Sequence, residues 1–167
     1  VFIQRIIITF EPPASRYGRK LPEVTRAAFR AGMLYWHRTF APKHFQPGAA
    51  EKYRHKRRTK KYQRTKRILA ARGKVRDGGR LDLVHSGLTR RKVLARPYIR
   101  AYPKRATLHM ATPSYVRMVP NRSNHPHMAK EITAVTPQER VQLMQVIGTE
   151  AERQLKAIRD TRTVVIS

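Results

Sequence analysis

Three groups of residues in this chain have types and spacings that could do chemistry. Asp82, His85 and Ser86 hold the letters of a hydrolase triad. Groups so close in sequence rarely converge with the geometry that a nucleophile and its base require, and no nucleophile-elbow sequence surrounds the serine. A turn at Ser86-Gly87, after the apolar Leu83 and Val84, accounts for them without catalysis. His125-Pro126-His127 could offer two imidazoles to a metal, with His44 or His109 arriving from elsewhere. That spacing on a proline-containing loop specifies no coordination geometry, and exposed histidines explain it equally well. There is no glycine-rich phosphate loop, no dinucleotide fingerprint and no carboxylate cluster of the kind that holds catalytic magnesium. The sequence therefore predicts a non-enzyme with no catalytic residue, no metal and no cofactor.

The third group dominates the chain. Between Ala49 and Arg76 the cations Lys52, Arg54, Lys56, Arg57, Arg58, Lys60, Lys61, Arg64, Lys66 and Arg67 crowd together, and no acid intervenes between Glu51 and Asp77. Like charges this dense repel one another in an isolated chain, so these ten are the candidate partner-binding or nucleic-acid-binding residues. Their counterpart is phosphate, an acidic protein surface, or both. Tyr53 and Tyr62, interleaved with them, either stack on bases or anchor the segment to the core.

The rest of the composition agrees with a polyanionic or acidic partner. The 167 residues carry 37 Lys plus Arg against 10 Asp plus Glu, a formal charge of +27, and no cysteine. Disulfides and thiolate zinc sites are thereby excluded. The charge is two-sided: Glu131, Glu139, Glu150, Glu152 and Asp160 nearly balance Arg140, Arg153, Lys156 and Arg159 near the C-terminus, whereas no acid occurs between Asp82 and Glu131. The apolar runs are far shorter than the ~20 residues of a membrane helix. VFIQRIIITF has neither the basic leader nor the cleavage site of a signal peptide, so no export is expected.

These residues need elements to position them. Val1 to Phe10 alternates apolar, β-branched residues on both faces and reads as a strand, followed by a loop through Pro12, Pro13 and Gly18. Val24 to Phe40 has helical spacing, with Phe29, Met33, Trp36 and Phe40 on one line and Val24, Ala27, Ala31 and Leu34 on another. Glu23, Arg26, Arg30 and His37 form the polar line of that helix, which puts the His37 ring at the surface or its boundary. Pro42 stops it. The basic stretch reads as a loop to about Arg58, then a short helix from Thr59 to Arg72 ended by Gly73.

From Arg96 to Val119 three strand-like pieces, Tyr98 to Tyr102, Thr107 to Met110 and Tyr115 to Val119, alternate with Pro103, Pro113 and Pro120 and suggest an antiparallel meander. After a loop from Asn121 to Pro126, Thr136-Pro137-Gln138-Glu139 is a capping-box start. Val141, Met144, Gly148, Ala151, Leu155 and Ile158 give that helix an apolar face to about Arg159, widened by Leu143 and Ile147. TRTVVIS is then a final strand or an extended tail. The expected architecture is a single α+β domain over 1–167: an antiparallel sheet packed by a long N-terminal helix and a C-terminal helix, with a basic extended arm over 46–80.

The order Tyr35-Trp36-His37-Arg38-Thr39-Phe40-Ala41-Pro42, Phe45, Ala50 and Tyr53, then the basic run with Tyr62, Lys66 and Gly73, then Leu83-Val84-His85-Ser86-Gly87-Leu88-Thr89, resembles the tail-completion (neck, or virion morphogenesis) proteins of tailed bacteriophages. The resemblance runs from about Val24 to Arg159 and includes Pro126-His127-Met128-Ala129-Lys130-Glu131-Ile132 ahead of the closing helix. His85 departs from the apolar or aromatic residue expected there. The resemblance implies a non-enzymatic ring subunit of the virion at the head–tail junction, assembled in the bacterial host cytoplasm. Its neighbours would be copies of itself, the head connector and tail proteins, with DNA in the channel as a further candidate. Two other readings fit the same sequence: a ribosomal or other RNA/DNA-binding structural protein, and a metal-dependent nuclease using His125, His127 and a carboxylate.

Overall fold

Helix α1, Leu21–Thr39, is the element around which the others assemble. Pro22 lies in its first turn, where a missing N–H costs nothing, and Glu23 there and His37 and Arg38 in the last turn complement the helix dipole. Phe40 closes it, its N–H bonding Trp36 O at 2.8 Å, before Pro42 turns the chain into the 3-10 turn Ala41–Phe45. The buried side of α1 is Val24, Thr25, Ala28, Phe29, Gly32, Met33, Trp36 and His37. The predicted line Phe29, Met33, Trp36 and Phe40 is thus the core line. Ala27, Ala31 and Leu34, expected on a second apolar line, are half-buried at its margin.

The structure, a computed structural model, describes residues 2–9, 20–56, 58–75, 87–117 and 127–163. Strands β1 (Phe2–Thr9), β2 (Tyr98–Ala101) and β3 (Arg105–Thr112) form an antiparallel sheet in the order β1-β3-β2. Phe2 pairs with Thr112 and Thr9 with Arg105 on one side of β3, and Tyr98 pairs with His109 on the other. Strict alternation along β3 buries Ala106, Leu108, Met110 and Thr112 against α1 and the short helix Leu88–Leu94 and turns the intervening side chains outward. The α+β class expected from the sequence is therefore the observed one.

The third strand of the expected meander, Tyr115 to Val119, is not a strand over its described part. Ser114–Arg117 is a 3-10 turn in which Val116 N bonds Pro113 O at 3.2 Å, and 118–119 lie outside the described residues. Pro113 ends β3 by withholding a ladder donor, and the N-terminal β1 takes the position beside β3 that a third meander strand would have filled. The bent segment instead buries Val116 in the core.

Helix α2, Ala49–Lys52, and α3, Lys60–Ala71, lie within the basic segment; α4, Leu88–Leu94, and α5, Met128–Ile132, are short. His37 corrects its surface assignment. Its ring is buried and Nε2–H donates to Val93 O at 2.8 Å, satisfying a carbonyl in the last turn of α4 that has no helical partner. No sequence signal identified α4 as that partner.

Helix α6, Pro137–Thr163, begins with the predicted capping box: Glu139 N donates to Thr136 Oγ1 at 3.3 Å and Thr136 N to Glu139 Oε2 at 3.2 Å. It crosses α1 where Gly32 meets Ile147; a Cβ at Gly32 would stand 2.6 Å from Ile147 Cγ1. That contact fixes the rotation of α6, which buries Glu139, Leu143 and Ile147. Val141 and Met144, expected in the core, are correspondingly exposed, at 58% and 43%. The helix also runs past Arg159 through Thr163, so the strand or tail expected from Thr161 begins as helix, and 164–167 lie outside the described residues.

Candidate docking site: the basic segment and its mount

The site begins where the chain leaves the 3-10 turn. Gly48 takes a left-handed φ of 80° to start α2, and Arg54, at φ 53°, reverses the chain after it while His55 N bonds Ala50 O at 2.8 Å. This reversal brings three aromatic rings together. Tyr53 stacks on the buried His44 with centroids 3.7 Å apart at 16°, and the His55 ring lies 6.0 Å from Tyr53, nearly parallel to it. Burial, helped by the neighbouring His55 charge, pulls His44 down to about 4, so the stack is neutral at His44 under ordinary conditions.

Two carboxylates from the C-terminal part meet this turn. Glu139, buried at the start of α6, accepts from the Tyr53 hydroxyl at 2.7 Å and pairs with Lys52 Nζ at 2.6 Å. Burial pushes its pKa up, but Lys52, Tyr53 and the Thr136 N–H more than offset that and hold it below the ordinary carboxylate value. Burial together with Glu139 pushes the Tyr53 phenol well up. Glu131 in α5 takes Arg58 in a two-pronged pair at 2.9 and 2.6 Å and also accepts Lys56 N–H at 3.1 Å. Both side chains of that pair are more than nine-tenths buried. Burial raises the Glu131 pKa while Arg58 lowers it further, with a net shift downward.

The ten cations thus divide. Lys52 and Arg58 are bound to glutamates, Lys66 is buried, and Arg54 and Lys56 are exposed around the turn; Arg57 lies outside the described residues. Lys60, Lys61, Arg64 and Arg67 are exposed on α3. The arm is helical rather than extended from Lys60 to Ala71, close to the range its residues predicted, because Thr59 caps it by accepting Tyr62 N–H at 3.2 Å. Lys60, Arg64 and Arg67 follow at spacings of four and three and so share one side of the helix. Among the described residues α3 makes no extensive contact with another element. Of the two tyrosines, Tyr53 is an anchor, whereas Tyr62 is 39% exposed.

The glutamate anchors and the histidine stack are what sequence reasoning missed. The signal available was the absence of acid between Glu51 and Asp77, which requires any internal counter-charge to come from a distant segment. Of the residues weighed for metal or triad chemistry, His127 caps α5, its Nδ1 accepting Lys130 N–H at 3.4 Å. Among the described residues no three His, Asp or Glu side chains gather as metal ligands. Asp82, His85, Ser86 and His125 lie outside the described residues.

Fold and site together define an α+β protein that holds a cationic helix on an acid-anchored mount. No protein-family model, no curated protein and no solved structure matches the chain.

Proposed function

We propose that the chain is a non-enzymatic structural subunit that docks onto a polyanionic or acidic surface through α3. On the resemblance to tail-completion proteins, we place it at the head–tail junction of a tailed-phage virion, where copies of it would form a ring with connector and tail proteins around the DNA channel. The observation that carries the docking role is the position of the α3 cations. Lys60 and Lys61 open the helix, the end at which the backbone dipole disfavours positive charge, and the first turn carries no acid. Helix stability does not account for that arrangement; a negative partner does. No helix among the described residues is long and apolar enough to cross a membrane.

In a phage that encodes this chain, exchanging Lys60, Lys61, Arg64 and Arg67 for Glu leaves the thermal melt intact and stops heads joining to tails, which then accumulate separately in micrographs. Undiminished joining overturns the docking role. Co-purification of the wild-type chain with ribosomal subunits, instead of with particles, decides for an RNA-bound structural protein.

A further inference from the structure

Helix α6 carries two apolar lines, and the core uses one of them. Leu143 and Ile147 are buried, whereas Val141, Met144, Gly148, Ala151, Leu155 and Ile158 follow at spacings that alternate three and four. That alternation is the seam of a helix that packs lengthwise against another helix. Its first half faces solvent, with Val141, Met144 and Gly148 exposed. Ala151, Leu155 and Ile158 are half-buried, because a repeat of ~3.5 residues slips by about 20° per heptad around a straight helix and here slips toward α1.

Gly148 indicates that something covers this face. Gly32 also lies inside a helix, and Ile147 accounts for it, whereas a Cβ at Gly148 would meet nothing within 4 Å. Glycine weakens a helix interior, so a glycine that the chain's own packing does not require marks a close approach from outside. Charge selects the occupant. Along 137–163 Glu139, Glu150, Glu152 and Asp160 nearly cancel Arg140, Arg153, Lys156, Arg159 and Arg162, in a chain of net charge +27. A polyanion gains nothing from a near-neutral apolar stripe. A second copy of this chain, repelled wherever cations are in excess, can come close here.

We infer that α6 pairs antiparallel with α6 of a second copy through this seam, about a two-fold axis between Gly148 and Ala151. Gly148 then faces Ala151 of the second copy, Met144 faces Leu155 and Val141 faces Ile158, so small residues meet at the centre and larger ones toward the ends. The antiparallel sense follows from the basic segments. Lys52 ties the root of that segment to Glu139 at the start of α6, so a parallel pair would hold the two roots one helix spacing apart, about 10 Å. The antiparallel pair sets Glu139 beside position 160 of the second copy. Roughly 21 residues at about 1.5 Å each then separate the roots by ~32 Å, several Debye lengths in ordinary salt. The pair does not rest on the head–tail reading, since closing a ring would use other surfaces.

Sedimentation equilibrium of the full chain at ~0.5 M NaCl, where the Debye length falls to about 4 Å, tests the pairing. The chain is a dimer at ~0.1 mM, and lowering the salt loosens it as the basic segments repel. Met144→Glu weakens association ~100-fold or more, since it sets an unpaired charge in the seam, and leaves the circular dichroism unchanged. Gly148→Leu weakens association ~10-fold or more by holding the helices apart. At high dilution the same change raises the melting temperature, because nothing in the chain obstructs the new side chain and Leu favours helix. The chain has no cysteine, so introduced thiols report the register. A mixture of Met144→Cys and Leu155→Cys chains forms the mixed disulfide on oxidation. Met144→Cys alone does not link to itself, its two copies lying ~16 Å apart along the helix axis. A monomer at ~0.1 mM, association unmoved by Met144→Glu and Gly148→Leu, or ready self-linking of Met144→Cys overturns the inference.

Discussion

Arg58 and Arg64 lie less than two helical turns apart in sequence and carry the same charge in opposite circumstances. Arg58 is enclosed, both prongs of its guanidinium committed to Glu131, and Arg64 projects from a helix whose first turn has no acid. The difference separates two uses of positive charge. At the root of the segment, cations fasten a chain reversal to α5 and α6 through buried carboxylates; on α3, cations are presented on a mount that those pairs hold still. The segment is therefore no uniform patch, since its first half is structural.

The largest effect expected is at the root. Removing one partner of a buried pair leaves the other charge uncompensated, so Glu131→Ala costs about 3–5 kcal/mol in urea unfolding, whereas Arg64→Ala costs under ~0.5 kcal/mol. Equal small effects would erase the distinction between the two halves. Next in size is the acid response of the root. His44 sits near 4 when folded against an ordinary 6.5, so the folded chain binds fewer protons than the unfolded chain between those values. Stability therefore falls as pH drops from 6.5 toward 4, by about 3 kcal/mol for one proton across that interval. Glu131 and Glu139, both held low, add to the loss below 4.5. Their contribution is complete above that value and disappears as pH falls through their folded values. His44→Phe keeps the stack on Tyr53 and flattens the 6.5-to-4 limb; an unchanged limb would assign the slope to other groups.

A smaller effect tests the body on which the root is built. Gly32→Ala drives a methyl into Ile147, and overpacking of about 1–3 kcal/mol is partly offset by the ~1 kcal/mol that Ala gains over Gly in a helix. A net loss of about 1 kcal/mol is expected in thermal unfolding. The smallest effect has the opposite sign: Lys60→Glu with Lys61→Glu puts acids at the dipole-favoured end of α3 and stabilises the chain by ~0.5 kcal/mol while removing docking. A destabilising result would show that these lysines make folding contacts and would bring α3 into the same category as the root.

Local signals carried much of the fold. The Phe29–Met33–Trp36–Phe40 line and the Thr136–Glu139 capping box can be read from spacing because their partners lie within one or two turns. Rotation of α6 was not legible, because Val141 and Met144 fit a helical stripe as well as Leu143 and Ile147 do, and only the close approach of Gly32 selects between them. His37 looked polar by position and became buried because α4 supplied a carbonyl for it.

The basic segment shows the same division. From the sequence come the place, density and sign of its charge, the helix from Lys60 to Ala71, and the need for an external or distant counter-charge. Which cations are already paired is a tertiary matter: Arg58 meets Glu131 from 73 residues away and Tyr53 meets Glu139 from 86. No periodicity encodes such a pairing, since it depends on how α5 and α6 pack beside the turn, and burial there converts two ordinary glutamates into the anchors that leave α3 to be presented.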